Sequence, residues 1–320
     1  MSLFISSSEK RENSDREGLR KVGRQLTKAA FFLILLLGLD LIISATLDMG
    51  LRRYFGMDSK VDVVCIGHSR TVLGIDAEML SRATGLKVAK YAINGANIVD
   101  RDAMIRQFLS EHPEVRLIIY DVEASTFSND GLSSNSYRLF LPFLANPEMR
   151  AYLEKQRKSS SELMLKRMFR TSRYDEVTFS LALRGLFGMN RNLKYGRFDE
   201  DRAKRWIEKG KNRPVTIDSK SYQTFQSTID FAKSRGVSIL LVDMPTVKIL
   251  NQAELPKSVQ VRNIFRGFAE QCPARVDYYD LSAAYQSNYE MFYDMIHLNA
   301  DGQKIVTGLL AEKVKEALNH

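Results

Sequence analysis

The chain has 320 residues, 44% of them hydrophobic, and a formal net charge of +9, which predicts an ordered protein with one large core rather than a disordered chain. A positive charge of this size suits nucleic acid or an anionic membrane, but no nucleic-acid-binding motif occurs, so we expect no nucleic acid and a bias toward membranes and polyanions. The four histidines and two cysteines form no cluster at zinc spacing, and no phosphate-binding or dinucleotide-binding glycine motif occurs, so we expect no metal and no cofactor.

The N-terminal part divides into a basic and an apolar segment. Residues 1–28 are polar and basic, whereas residues 29–45 are almost wholly apolar, which predicts a membrane segment. No convincing signal-peptidase site follows, so we favour a retained anchor over residues 29–51, joined to the rest by a short linker, over a cleaved signal peptide. Because basic flanks stay in the cytoplasm, we expect a single-pass type II protein of the cytoplasmic (inner) membrane, with a cytoplasmic tail over residues 1–28 and a periplasmic or extracellular catalytic domain.

Asp40 lies inside this apolar segment. A carboxylate in lipid is costly and usually faces protein or water. Asp40 is therefore either a tolerated acid near the interface or a contact with a polytopic membrane partner, and the sequence leaves both interpretations open.

An apolar run from residue 61 ends in a Gly-His-Ser-Arg turn. This pattern predicts a buried parallel strand and a tight turn that presents the hydroxyl of Ser69 at the carboxyl edge of the sheet. Ser69 is the candidate nucleophile. His68 and Arg70 are candidates for substrate contact, although His68 is also explained as a turn residue without a role, and Arg70 as the partner of an acid such as Asp121.

Further strand and helix patterns follow this turn. We predict a loop and helix over residues 71–85, a strand over 86–93, a helix over 100–111 and a strand over 115–120. Alternation of this kind is typical of a parallel α/β domain, whose ligands bind at the carboxyl ends of the strands. The turns that hold Asn94 and Gly95, and then Glu123 and Ser125, should line one crevice with Ser69. Cys65, within the first strand, is expected to be a buried thiol rather than a disulfide partner.

Residues 126–217 interrupt the α/β pattern, and they predict a helical insertion or cap beside the mouth of the site. Helices are suggested near residues 139–144, 155–173 and 179–187, and a polar, basic loop over residues 190–213. A cluster of cations within this segment is either a solvated helix face, which we favour, or a site for an acidic polymer or lipid headgroups. Its members are Lys166, Arg167, Arg170 and Arg173.

The α/β pattern resumes after the insertion. Helices are predicted over residues 222–235, 259–270 and 300–318, and strands over 237–242 and 276–281. Asp294 and His297 lie in the turn before the last helix. A serine nucleophile needs an imidazole to accept its proton and an acid to orient that imidazole. We therefore predict a triad of Ser69, His297 and Asp294.

With its Gly-His-Ser-Arg turn, its Asp294 and His297 pair and the run His-Leu-Asn-x-x-Gly, the sequence resembles the SGNH (GDSL-like) hydrolase and acyltransferase superfamily, in particular its membrane-anchored members that O-acetylate polysaccharides. The resemblance covers residues 61–120 and 236–320. It implies an α/β class, flavodoxin-like three-layer α/β/α domain with a parallel sheet, formed by residues 52–125 and 218–320, together with the helical insertion and one transmembrane helix.

The resemblance also implies an oxyanion hole formed by the backbone N–H groups of Ser69 and Gly95, although an ordinary turn explains Gly95 equally well. An asparagine that usually completes the hole is missing after the third strand. Either Glu123 or Ser125 lines the pocket there, or Asn129 reaches back, or the hole has two donors only. Asn94 is a further candidate for substrate contact.

The implied function is extracytoplasmic transfer of an acyl group, with acetyl expected, to hydroxyls of a cell-surface or exported polysaccharide through an acyl-serine intermediate. The expected partners are the membrane, the polysaccharide acceptor and a polytopic membrane O-acyltransferase that supplies the acyl group. The alternatives are a membrane-tethered carbohydrate esterase or deacetylase, and a non-catalytic assembly factor of a polysaccharide export or modification complex.

Overall fold

The structure is a computed structural model that describes residues 5–128, 136–156, 160–210 and 214–318. The strands are β1 (Val63–Gly67), β2 (Val88–Ala92), β3 (Leu117–Val122), β4 (Ser238–Asp243) and β5 (Val276–Asp280). The helices are α1 (Ile5–Phe55), α2 (Ser69–Gly74), α3 (Ala77–Thr84), α4 (Ile98–Glu111), α5 (Ser136–Phe140), α6 (Pro147–Gln156), α7 (Ser160–Met168), α8 (Glu176–Leu186), α9 (Glu200–Glu208), α10 (Ser219–Ser234), α11 (Lys248–Ala253), α12 (Lys257–Gln271) and α13 (Ala300–Leu318).

The five strands form one parallel sheet in the order β2-β1-β3-β4-β5. Alternate strand residues face opposite sides of the sheet, as the pleat requires. Val64 and Ile66 join the apolar cluster beneath α4, α10, α12 and the end of α1, whereas Val63 and Cys65 join the cluster beneath α3 and α13. The predicted flavodoxin-like, three-layer α/β/α fold is therefore confirmed. Cys65 is a buried free thiol.

The region between β3 and β4 contains only helices and loops among its described residues. The prediction of a continuous polar loop over residues 190–213 is wrong, because α9 forms within it. Asp199 accepts a hydrogen bond from the backbone N–H of Arg202 and so caps this helix. The helix was missed in the sequence because most of its residues are charged, although Ala203, Trp206 and Ile207 have helical spacing.

Helix α1 is the one described helix that is long and apolar enough to cross a membrane. It continues without a break to Phe55, and Leu47, Leu51 and Phe55 are buried in the core beside the sheet. The helix therefore extends past the expected bound at residue 51, and a short loop over residues 56–62 joins it to β1. The apolar segment and the α/β domain share one continuous helix, because the last two turns of α1 are core residues of the domain.

Helix α8 packs directly against the last part of α1. A Cβ atom at Gly185 would lie 1.8 Å from the carbonyl oxygen of Gly50, and one at Gly50 would lie 2.2 Å from the carbonyl oxygen of Ala182. Only glycine at both positions allows the two backbones to approach this closely. The contact ties the region between β3 and β4 to the membrane-type helix.

Asp40 has its partners within the same chain. Its carboxylate accepts hydrogen bonds from the backbone N–H groups of Arg170 and Thr171, at 2.8 and 3.0 Å, and from the hydroxyl of Thr171. The turn between α7 and α8 thus gives both oxygens of this carboxylate partners within the chain, and contact with a polytopic partner stays a prediction.

The predicted cation cluster is also largely engaged inside the chain. Lys166 donates to the carbonyl oxygen of Ser172, Arg173 donates to the carbonyl oxygen of Lys166 at 2.7 Å, and Arg167 pairs with Glu154 at 2.8 Å. Lys166 and Arg173 therefore stabilise the turn after α7, whereas Arg167 and Arg170 are exposed, as the favoured interpretation of a solvated face expects.

Candidate active site

Ser69 begins α2 directly after β1, so its side chain stands at the carboxyl end of a central strand. The chain turns sharply there because Gly67 has no side chain. A Cβ atom at Gly67 would lie 1.9 Å from Oγ1 of Thr71 and 2.7 Å from Cβ of Asp121. The glycine of the Gly-His-Ser-Arg turn is thus required by the close approach of β3 and α2.

The structure brings the three residues of the predicted triad together. Nε2 of His297 lies 2.7 Å from Oγ of Ser69, and Nδ1 of His297 lies 2.7 Å from Oδ2 of Asp294. When Nδ1 donates its proton to the carboxylate, Nε2 is left as an acceptor that faces the serine hydroxyl. This is the tautomer that a general base needs.

The carboxyl group of Asp294 is held ionised. Burial alone would raise its pKa, but the hydrogen bond and charge of His297 and the backbone N–H groups of Ile296 and His297 outweigh burial and lower that pKa below its ordinary value. An ionised acid at this position orients His297 and stabilises the imidazolium that forms when the ring accepts a proton.

The loop that carries Asp294 and His297 is anchored at both ends. The backbone N–H of Tyr293 donates to the carbonyl oxygen of His297 at 2.8 Å, and Val247 after β4 donates to the carbonyl oxygen of Met295 at 3.2 Å. These bonds hold the acid and the imidazole on the nucleophile's side of the sheet.

The His-Leu-Asn-x-x-Gly run has a structural explanation. Asn299 accepts hydrogen bonds from the N–H groups of Asp301 and Gly302 at the start of α13, and its amide donates to the carbonyl oxygen of Glu290 at 2.6 Å. A Cβ atom at Gly302 would lie 2.2 Å from the carbonyl oxygen of Met291. Asn299 and Gly302 therefore fix the last helix against the loop that carries the histidine.

His68 and Arg70 are buried beneath the nucleophile turn, at 0% and 2% exposure. The expectation that they contact substrate is therefore corrected. Nδ1 of His68 accepts from the backbone N–H of Arg70, which places the ring proton on Nε2, 3.4 Å from Oε1 of Glu123. His68 caps α2, so it supports the turn from below.

Arg70 is the centre of a buried charge network. Its guanidinium lies 3.1 Å from Oε2 of Glu123 and 3.2 Å from Oδ1 of Asp243, and donates to the carbonyl oxygen of Met244 at 2.5 Å. Asp121, by contrast, accepts from the hydroxyl of Thr71 at 3.1 Å. Burial alone would lower the pKa of Arg70, but these three carboxylates raise it above its ordinary value.

The carboxylates around Arg70 differ in their environment. Burial would raise the pKa of Glu123, but His68, Arg70 and Ser125 lower it well below the ordinary range. Burial raises the pKa of Asp243 to about 6, against the opposing effect of Arg70 and Arg262. Sequence analysis missed this network because Asp243 and Arg262 lie far along the chain from Arg70.

The proposed oxyanion residues follow β2, the strand next to β1. Gly67 pairs with Ala92, and the backbone N–H of Ile93 donates to the carbonyl oxygen of Gly67 at 3.2 Å, so the turn that holds Asn94 and Gly95 begins beside the end of β1. Gly95 has a φ of +79°, a conformation that favours glycine. An oxyanion donor at Gly95 stays a prediction.

The region after β3 is built around a carboxylate instead of the missing asparagine. Ser125 donates its hydroxyl to Oε1 of Glu123 at 2.6 Å, and both residues line the cavity beside His297. Of the alternatives for a third donor, Asn129 lies outside the described residues.

A cavity of about 530 Å3 opens beside the triad, a volume suited to a small ligand or a sugar unit. Asp294 and His297 line one wall, and Glu254 lines another. Burial and the charge of Glu123 raise the pKa of Glu254 to about 7. Aromatic and basic side chains complete the cavity: Phe198, Trp206, Tyr293, Arg197 and Arg202.

Three members of this cavity, Arg202, Ala203 and Trp206, come from α9. The segment between β3 and β4 therefore contributes to the wall of the site, at the place where a cap was expected. Sequence analysis did not identify these residues or Glu254. The only tryptophan of the chain, set among basic residues, was the available signal for Trp206 and Arg202.

No protein-family model matches the chain, and no curated protein is significantly similar to it. It is 11% identical to a Bacteroides fragilis structure described as an acylhydrolase, over 81% of this chain and 91% of that chain, with a TM-score of 0.39. It is 10% identical to a GDSL-like lipase from Bacteroides thetaiotaomicron, over 80% and 88%, with a TM-score of 0.36. It is 13% identical to a Streptococcus pneumonia structure described as a platelet activating factor, over 89% and 98%, with a TM-score of 0.38.

The chain's own geometry agrees with the resemblance drawn from its motifs. The sheet has the order β2-β1-β3-β4-β5, Ser69 follows β1, and the acid and histidine lie directly before α13. By strand order and by the positions of these three groups, the protein has the α/β architecture of the SGNH hydrolase superfamily.

Proposed function

We propose that the protein is a serine acyltransferase that moves an acyl group, with acetyl expected, onto hydroxyls of a cell-surface or exported polysaccharide. The observation that carries the proposal is the continuous hydrogen-bonded chain from Oγ of Ser69 to Nε2 of His297, and from Nδ1 of His297 to Asp294, with both distances at 2.7 Å. A nucleophile, a base and an orienting acid in this order are the parts that acyl transfer through a serine ester requires.

In the first half-reaction, His297 takes the proton of Ser69 as Oγ forms a bond to the carbonyl carbon of the donor ester. The carbonyl oxygen becomes an oxyanion, which the backbone N–H groups of Ser69 and Gly95 would stabilise. When the tetrahedral intermediate collapses, the bond to the donor oxygen breaks and the His297 imidazolium returns its proton to that oxygen. Ser69 is then esterified.

In the second half-reaction, His297 removes the proton of an acceptor hydroxyl as its oxygen attacks the acyl-serine. A second oxyanion forms and collapses, the bond from Oγ to the acyl carbon breaks, and Ser69 recovers its proton from His297. A sugar hydroxyl as acceptor gives transfer, and water gives hydrolysis.

The cavity supports a carbohydrate acceptor. The exposed side chains of Trp206 and Tyr293 offer flat apolar surfaces, and Arg197 and Arg202 offer donors to hydroxyl or acidic groups. We further propose that the protein is a type II protein of the cytoplasmic membrane, with its α/β domain outside the cytoplasm. A polytopic membrane O-acyltransferase would supply the acyl group there.

The test is intact-mass spectrometry of the full chain in detergent after exposure to a serine-reactive phosphonate, with Ser69→Ala as the matched control. The full chain is needed because Leu47, Leu51 and Phe55 of α1 belong to the core. A single adduct that Ser69→Ala lacks would support the proposal, whereas no adduct on the folded protein would contradict it. Acetate released from acetylated polymer by the purified protein alone would instead identify a membrane-tethered esterase.

A further inference from the structure

Helices α7 and α8 carry apolar side chains on the outside of the protein. Five of them are between 46% and 64% exposed: Met164, Leu165, Met168, Val177 and Phe179. We call these five residues the apolar hairpin face. Met164, Leu165 and Met168 lie on one side of α7, and Val177 and Phe179 lie on the two flanks of the buried side of α8. Scattered single apolar residues on a surface are normal, but a group of this size on two helices joined by one short turn indicates a surface that something covers.

This face is joined to the membrane-type helix. The turn between α7 and α8 is bound through the N–H groups of Arg170 and Thr171 to Asp40 of α1, and α8 crosses α1 where Gly185 meets Gly50. The two contacts occur in the same order along both segments of chain, so α8 runs parallel to the part of α1 from Asp40 to Gly50. The apolar hairpin face is thus carried by helices that are bound to the apolar segment of α1.

The length of the apolar segment sets the depth of this contact. Residues 29–39 span only about 16 Å as a helix, whereas the hydrocarbon core is about 30 Å thick. A span that begins after Lys28 must therefore continue past Asp40, and the next charged residue is Asp48. Asp40 then lies about 12 Å inside the hydrocarbon boundary nearest the α/β domain.

The turn between α7 and α8 has its polar backbone groups satisfied internally, as a lipid environment requires. The carboxylate of Asp40 accepts from two N–H groups of the turn. Lys166 donates to the carbonyl oxygen of Ser172, and Arg173 donates to the carbonyl oxygen of Lys166. Lys166 and Arg173 thus bind backbone groups of the same chain. Arg167 and Arg170 are exposed, as long basic side chains that extend toward the headgroups would be.

We propose that α7, the turn at Thr171–Arg173 and the first half of α8 insert into the bilayer leaflet nearest the α/β domain, where lipid acyl chains cover the apolar hairpin face. The protein then has two membrane contacts, the span of α1 and this helical hairpin. The turn bound to Asp40 would lie deepest, about 12 Å inside the hydrocarbon boundary, and the two helices would rise from it toward the headgroups, through the depth of about 5–10 Å at which interfacial helices commonly lie.

The test uses the full chain in phosphatidylcholine and phosphatidylglycerol vesicles. Trp206 is the only tryptophan, so a Trp206→Phe background lets one new tryptophan report one position. Phe179→Trp and Met168→Trp place the probe on the apolar hairpin face, and two probes keep the test decisive if one variant fails to fold. Val259→Trp is the control, because Val259 is exposed to a similar extent, at 42%. It lies on α12, which packs beside β5 at the edge of the sheet opposite α1.

For a probe about 5–10 Å below the headgroups, lipids brominated along their acyl chains should reduce the emission of Phe179→Trp and Met168→Trp to about half or less. Val259→Trp should keep its emission in those lipids and lose it to aqueous iodide. Equal iodide quenching of all three probes would overturn the proposal. Protection of the hairpin probes from both quenchers would also overturn it, since a protein surface and not lipid would then cover the face.

Discussion

Replacing Arg70 by methionine should destabilise the protein strongly, because Arg70 is the buried cation that neutralises two carboxylates. Loss of the guanidinium leaves Glu123 and Asp243 without the contacts at 3.1 and 3.2 Å. Breaking a buried ion pair from one side typically costs about 3–5 kcal/mol. Asp243 keeps Arg262 at 3.0 Å and Glu123 keeps Ser125 at 2.6 Å, so we expect the lower end of that range.

The matched control is Arg106→Met, which makes the same chemical change at a partly exposed pair. Arg106 lies 2.9 Å from Asp102, with side-chain exposures of 27% and 21%, so its loss should cost no more than about 1 kcal/mol. Guanidinium unfolding of the full chain in detergent, followed by far-UV circular dichroism, compares the two. Equal losses of unfolding free energy would refute the claim that Arg70 neutralises the network, and so would a failure of Glu123→Gln to recover stability in the Arg70→Met background.

Three further predictions follow from the geometry. Asp294→Asn should lower the rate of phosphonate labelling of Ser69 by about 10²- to 10⁴-fold, because the imidazole loses its orienting charge; intact-mass kinetics measure this, and an unchanged rate would remove Asp294 from the site. Burial raises the pKa of the Glu254 carboxyl in the folded protein to about 7. Between about pH 4.5 and 7 the folded chain therefore keeps the carboxyl proton that the unfolded chain has released, so the free energy of unfolding should fall as the pH rises through this range. Unfolding midpoints across that range should show a weaker fall for Glu254→Gln, and an identical profile would contradict the assignment. Gly185→Ala should lower the free energy of unfolding by about 1–3 kcal/mol, because the added Cβ would collide with the backbone of α1. Gly308→Ala in α13 is the control and should not lower it, because nothing lies within 4 Å of the added Cβ. Similar thermal midpoints for the two variants would refute the close contact between α8 and α1.

The parts of the fold that could be predicted are those that local sequence determines. The apolar run ending at Ser69 shows a strand and a turn, because β-branched residues and a glycine act over a few positions. The pairing of Asp294 with His297 was visible for the same reason, since three residues separate them. Their contact with Ser69 was predicted from the chemistry of a triad and from the parallel topology, and in the structure Nε2 of His297 lies 2.7 Å from Oγ of Ser69.

The parts that could not be predicted depend on residues distant in sequence. The burial of Arg70 is set by Asp243 at the end of β4, which no local pattern indicates. The partners of Asp40 are backbone groups near Thr171, and backbone groups carry no sequence signal. Helix α9 was missed although its signals are local, namely the N-cap Asp199 and the helical spacing of Ala203 and Trp206, because the charged residues around them suggested a loop.

The unbroken course of α1 from its apolar segment to Phe55 limits how the protein can search for substrate. A domain on a flexible tether samples a volume above the bilayer, with its reactive groups facing in any direction. If α1 anchors the protein as proposed, a domain whose own core includes the end of that helix can spin about the membrane normal and drift sideways, but Ser69 stays at one height and one tilt. Encounter with the proposed polymer acceptor would then be a planar search, in which the membrane determines the part of a strand that comes within reach.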